Sequence, residues 1–134
     1  SDCCMPFYES MIDAVLLNDF DSKQFYDLKF NLIHQKILYS SLYDDRELQK
    51  FIYERWTKYG LDLLIESGKE ESVILDYLSQ YADSEAVQVN YVDYYVRKGH
   101  YQKALDILDE HTGHAYEVKK QEVIEAMNHH KEVS

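Results

Sequence analysis

Glycine and proline are scarce, four and one in 134 residues, where average usage of the two together is roughly 12%. So few turn-formers cannot punctuate a hairpin-rich sheet protein, and the chain reads as all-α. Cysteine is equally sparse. Cys3 and Cys4 are adjacent, a spacing that suits neither a disulfide framework nor a zinc site, and it reads as a protein of a reducing compartment. No stretch approaches the roughly 18 consecutive apolar residues of a membrane-spanning helix. The start Ser1-Asp2-Cys3-Cys4 has no basic flank followed by an apolar run, so it does not read as a signal peptide. Lys and Arg are outnumbered 14 to 25 by Asp and Glu, for a net charge of -11. A domain this acidic repels phosphate backbones and anionic headgroups, which argues against nucleic acid or a membrane surface as its partner.

What is present is 46% apolar residues in a chain of single-domain length, and 13 tyrosines. Residues 1–134 are therefore read as one folded domain, and the absence of an initiator methionine reads as a fragment of a longer chain. Tyrosine joins a large apolar ring to a hydroxyl that needs a partner, so where the tyrosines fall matters.

Apolar residues recur at helical spacing along the whole chain. Pro6 suits the first turn of a helix carrying Phe7, Tyr8, Met11, Ile12 and Val15. A long segment from about Ser22 to Leu42 follows, with Phe25, Leu28 and Leu32 on one side and Phe30, Ile33 and Ile37 about a third of a turn away. Asp44 or Asp45 caps the next helix, which points Leu48, Phe51, Ile52, Trp56 and Tyr59 inward and is expected to end at Gly60, with Leu61 to Ile65 as a linker. Ser67 and Glu70 have capping-box spacing before the stripe Val73, Ile74, Tyr77, Leu78, Tyr81. Asp83 or Ser84 opens a helix from Glu85 to Lys98 that puts Val87, Tyr91, Tyr94 and Tyr95 on one face and Val89, Val92 and Val96 on the opposite one. Gly99 ends it. Tyr101, Ala104, Leu105 and Leu108 form the following stripe, and a last helix from His114 to about His130 carries Tyr116, Val123, Ile124 and Met127.

A helix apolar on two opposite faces, between short connections, fits a layered stack better than a four-helix bundle. The architecture expected is an irregular α-solenoid of about seven to eight stacked antiparallel helices, with no regular repeat length.

Three blocks carry a family resemblance: FIYERWTKYGL at Phe51 to Leu61, ESVILDYL at Glu71 to Leu78, and YYVRKGHYQKALDILD at Tyr94 to Asp109. Together they resemble the C-terminal helical region of the inner-ring scaffold nucleoporin family (nucleoporin 155/157/170 type). Ile52, Tyr53, Glu54, Gly60 and Leu61 match the first family block, with Trp56 one place later than the family tryptophan. Leu75, Asp76 and Leu78 match the second, with Ser72 at the family's proline. Tyr94, Tyr95, Gly99, Tyr101, Ala104 and Leu108 match the third, with Lys98 at the asparagine place and Val92 at a family tryptophan. The resemblance implies a structural subunit of the nuclear pore complex at the nuclear envelope, whose tail receives linear segments of other nucleoporins and neighbouring scaffold subunits. It implies no enzyme activity, cofactor, small-molecule substrate, nucleic acid or direct membrane contact. The stretch Gly99, Tyr101, Ala104, Leu105 also fits a tetratricopeptide hairpin, so a tetratricopeptide-like or vesicle-coat adaptor is the alternative, followed by a small helical metal protein.

Chemistry-bearing groups are few. Glu110, His111 and His114 are nitrogen and carboxylate donors of the kind zinc takes, but Gly113 interrupts them and they read as a solvated loop. His129-His130 reads as a polar helix end, and the pairs Asp44-Asp45, Glu70-Glu71 and Asp109-Glu110 fall at helix termini, where capping explains them. No phosphate loop, nucleophile-base pair or Glu-x-x-His pair occurs. Most tyrosines, including Tyr77, Tyr81, Tyr91, Tyr94, Tyr95 and Tyr101, lie on apolar stripes and are expected in the core. Tyr43, Tyr53 and Tyr59, with Trp56 between them and itself expected to be mostly buried, are the candidate protein-binding surface.

Overall fold

The computed structural model describes Asn18 and residues 20–133. The expected helix around Phe7 to Val15 and the pair Cys3-Cys4 lie outside the described residues. Within the described residues every element is helical: α1 (Tyr26–Tyr39), a 3-10 turn (Ser40–Leu42), α2 (Arg46–Glu66), α3 (Glu71–Gln80), α4 (Glu85–Arg97), α5 (Tyr101–Asp109) and α6 (His114–Val133). The all-α expectation holds. The chain divides into two compact units, one through Tyr77 and one from Leu78.

In the first unit α1 packs on α2. The helix expected from Ser22 begins only at Tyr26, because the Asp21 carboxylate accepts the backbone N–H groups of Lys23 (3.0 Å) and Gln24 (2.8 Å) and holds those residues in a turn. That turn is tied to the far end of α2: the ammonium of Lys29, 2% exposed, donates to Ser22 Oγ at 3.2 Å, and Ser22 Oγ donates to Glu66 at 3.0 Å. Ile33 and Ile37 supply the buried stripe of α1, whereas Leu28, expected to share an inward side, is half exposed.

Asp45 caps α2 as expected, accepting from the Glu47 N–H at 3.1 Å. The expected end at Gly60 and linker from Leu61 to Ile65 are corrected: α2 continues to Glu66, with Leu61, Leu63 and Leu64 buried. Gly60 serves a different purpose. An added Cβ there would stand 2.0 Å from the Tyr77 hydroxyl oxygen and 2.8 Å from Cζ, and that hydroxyl donates to the Thr57 carbonyl at 2.6 Å. The glycine opens the groove in α2 into which the α3 tyrosine inserts. Helix termination falls to Gly68 (φ 74), where Gly68 N–H donates to the Ile65 carbonyl at 3.1 Å and Lys69 N–H to the Leu64 carbonyl at 3.0 Å, the Schellman pattern. Ser67 is therefore the C-cap of α2, its hydroxyl bonded to the Leu63 carbonyl, and does not form the expected capping box with Glu70.

In the second unit α4, α5 and α6 pack on one another. Ser84, fully buried, caps α4 by accepting from the Val87 N–H, and Gln88 reaches from α4 to the Leu78 (3.1 Å) and Tyr81 (3.3 Å) carbonyls, two of the acceptors that a helix end leaves without partners. Gly99 (φ 78) ends α4 as expected, through bonds from Gly99 N–H to the Val96 carbonyl (3.0 Å) and from His100 N–H to the Tyr95 carbonyl (2.9 Å). The buried residues of α4 are Val87, Gln88, Tyr91, Val92 and Tyr95, one broad stripe, while Val89 and Val96 are only half-buried. The burial of two opposite faces expected from the sequence is thus reduced to one broad face with a half-covered flank. Ala104 (0% exposed) and Leu108 anchor α5, and Tyr116 and Val123 anchor α6.

Candidate protein-binding surface

The candidate residues belong to α2 and the turn before it. Tyr43 closes the 3-10 turn in extended backbone (φ -71, ψ 144), is half-buried, and accepts the Gln49 side-chain amide at its carbonyl. Tyr53, also half-buried, gives its carbonyl to the hydroxyl of the fully buried Thr57 at 2.8 Å. Trp56 is 5% exposed and therefore part of the core, with Tyr59 edge-on to it at 5.2 Å. The structure brings those last two together under cations. The Arg55 guanidinium stands 5.6 Å from the Tyr59 ring and 6.0 Å from Trp56, Arg55 Nε donates to the Tyr59 hydroxyl at 3.3 Å, and Lys36 of α1 lies 5.9 Å from Trp56. Such contacts contribute about 0.5–1 kcal/mol each at exposed sites. Lys36 links the cluster to α1, and Tyr53 and Tyr59 are half-buried.

Sequence reasoning misplaced two neighbours. Phe51 and Leu48, expected inward, are 61% and 40% exposed. The stripe that α2 buries is Trp56, Thr57, Gly60, Leu61, Leu63 and Leu64, and at about 100° per residue Phe51 falls nearly opposite its centre. Leu38, Tyr39 and Leu42 at the end of α1 and in the 3-10 turn are likewise exposed. The long apolar run through Gly60 was the one signal that could have set this phase.

The polar candidates resolve into local contacts. The His111 ring stacks on Tyr116 at 4.7 Å and the His130 ring lies 5.7 Å from Tyr101. Among the described residues no group of three or more His, Cys, Asp or Glu side chains is placed to hold a metal ion, and no helix is long and apolar enough to cross a membrane. Lys119 of α6 pairs with Asp93 of α4 at 2.8 Å and with Glu122 at 3.0 Å. Burial would lower its ammonium pKa, but the hydrogen bonds and charges of Asp93 and Glu122 outweigh this and raise it. Burial, with Asp83 nearby, raises the pKa of the Tyr81 hydroxyl, and burial with Asp27 does the same for Tyr26.

No protein family, curated protein or solved structure matches this chain.

Proposed function

We propose that this chain is a helical scaffold piece of the inner ring of the nuclear pore complex, an irregular α-solenoid segment that holds other nucleoporins in place and transforms no substrate. The observation that carries the reading is the seat of Tyr77 over Gly60. Gly60 lies in the first of the three blocks that resemble the scaffold nucleoporins and Tyr77 in the second, so residues of separate blocks are complementary in space. The third block supplies Gly99 at the end of α4 and Ala104 where α5 approaches its neighbours. Half-exposed aromatic edges at Tyr43, Tyr53 and Tyr59 offer anchor points for a short extended or helical segment. A net charge of -11 favours segments containing Lys or Arg, with encounter slowing as salt rises.

The fully buried Ala104 in a glycine-closed helical hairpin equally favours a second reading, a tetratricopeptide-like or vesicle-coat adaptor. The two separate in a calorimetric titration of the protein with linker segments of inner-ring nucleoporins from the same source, at low and high salt. Saturable binding that survives moderate salt supports the scaffold reading. Absence of binding to every linker, with association instead to coat-adaptor peptides, RNA or anionic vesicles, defeats it.

A further inference from the structure

In a chain of net charge -11, residues 94–105 form the only acid-free stretch that holds three Lys or Arg: Arg97, Lys98 and Lys103. All three are exposed. Among the described residues none of them pairs with a carboxylate, whereas Lys58, Lys119 and Lys120 do. Lys98 and Lys103 lie over aromatic rings at the corner between α4 and α5, and Arg97 precedes them at the end of α4. Lys98 Nζ lies 4.3 Å from the Tyr94 ring centre, Lys103 Nζ 5.6 Å from that of Tyr95, and the two rings are 6.0 Å apart. The exposed His100 ring stands 6.1 Å from Tyr95, and Tyr94 and Tyr101 are half-buried. The Schellman bonds at Gly99 fix the backbone of the corner.

Local folding accounts for only part of this. Arg97 and Lys98 complement the C-terminal end of α4, but Lys103 sits in the first turn of α5, where helix polarity favours an acid and disfavours a cation. A cation in an unfavourable place, free of carboxylates in an acidic molecule and held beside aromatic rings, has the makings of a recognition surface.

We propose that this corner is the docking surface for a short acidic segment of a partner protein, its carboxylates pairing with Arg97, Lys98 and Lys103 while an aromatic or aliphatic side chain lies against Tyr94 and Tyr101. Charge complementarity selects the occupant, and the size of the patch limits its length. At physiological ionic strength charges are screened over about 8 Å, so a short segment is attracted by the corner, whereas a long polyanion extends beyond it into the repulsion of the acidic remainder. The proposal does not depend on the nuclear-pore reading and adds an acidic ligand to the basic segments favoured there.

The test is a titration of the isotope-labelled full chain with a short peptide of about five Asp and Glu residues around one Phe, a length matched to the patch, followed by amide shifts and by calorimetry. The expected result is shifts concentrated in residues 94–105 and binding weakened at least about ten-fold by Lys98→Glu/Lys103→Glu, with a smaller loss for Lys98→Gln/Lys103→Gln, which adds no repulsion. Lys50→Glu, a reversal at another exposed lysine, should leave affinity within about two-fold. The absence of shifts in that stretch, an equal loss from Lys50→Glu, or tighter binding of single-stranded RNA or phosphatidylserine vesicles than of the peptide overturns the proposal.

Discussion

Through Tyr77 the helices hold together by close approach at a glycine, whereas from Leu78 onward ion pairs join them and paired tyrosines brace one of them from within. In the first unit the decisive contact is a hydroxyl seated over Gly60. In the second, Tyr91 and Tyr95 pack edge-on at 4.6 Å with their hydroxyls bonded at 3.0 Å, and α6 is tied to α4 through Lys119–Asp93 and to the end of α5 through Lys120–Asp109. Among the described residues exposed apolar side chains concentrate in the first unit, where Leu42 (72%) and Phe51 (61%) lie open, although Val118 and Val133 of the second are exposed too. The comparison teaches that the number of apolar residues on a helix does not set its burial. What sets it is whether a neighbour can come close enough to cover them.

The largest effect is expected from Ala104→Glu. Ala104 is wholly buried in the second unit, and a carboxylate forced into that contact costs about 4 kcal/mol or more. Thermal melting should fall by roughly 10 °C or more, with hydrogen-exchange protection lost first in α5 and α6. A melt within a degree of the parent would mean that the second unit does not depend on close approach at Ala104.

Gly60→Ala sharpens the contrast from the other side. An alanine inside a helix ordinarily stabilises by about 1 kcal/mol relative to glycine. Here the new methyl displaces a buried, hydrogen-bonded tyrosine, so the sign should reverse to a loss of about 2 kcal/mol. Adding Tyr77→Phe removes the atom in closest conflict, and chemical denaturation of the double variant should show less than the sum of the two single losses. A stabilised Gly60→Ala would show that Tyr77 is not held where the first unit needs it.

Gly68 and Gly99 provide the control that both units share. Each has positive φ, and an added Cβ meets at most one distant side-chain atom, so Gly68→Ala and Gly99→Ala should each cost about 1 kcal/mol, from backbone conformation alone. A much larger loss at either would point to packing at the helix end.

The smallest effect is a pH dependence. Lys119 has a raised pKa in the fold, so its contribution is fully present below the ordinary ammonium value of 10.5 and is lost as pH rises through the higher folded value. Tyr81 and Tyr26, raised above 10.0, act in the same direction, since the unfolded chain releases those protons first. Stability should therefore hold from neutral pH to about pH 10 and decline above it. Melting curves of Lys119→Gln should show a shallower decline; one that superimposes on the parent's would remove the ion pair from the account of the second unit.

Much of the fold was legible in the sequence. Asp45 and Ser84 as caps, Gly99 as a terminator and most of two stripes follow from spacing and side-chain chemistry: Ile74, Tyr77, Leu78 and Tyr81 are buried but Val73 is 40% exposed, and Ala104 and Leu108 are buried while Tyr101 and Leu105 are half-buried. The candidate surface was less so: Tyr43, Tyr53 and Tyr59 are half-buried, whereas Trp56, expected to be mostly buried, is buried. Misassigning Gly60 also misjudged Phe51 and Leu48, since ending a helix early removes the leucines that define its inward face.

The sequence alone determined the starts of α2 at Asp45 and of α4 at Ser84 and which residues can share a face, because side-chain capping and helical periodicity are local properties of a few neighbouring residues. Tertiary structure decided which of those faces is covered and what each glycine does. Gly60 and Gly99 are the same residue in similar local contexts, yet one admits a side chain from another helix and the other turns the backbone. The first role depends on a tyrosine seventeen residues further along, which no local pattern at Gly60 encodes.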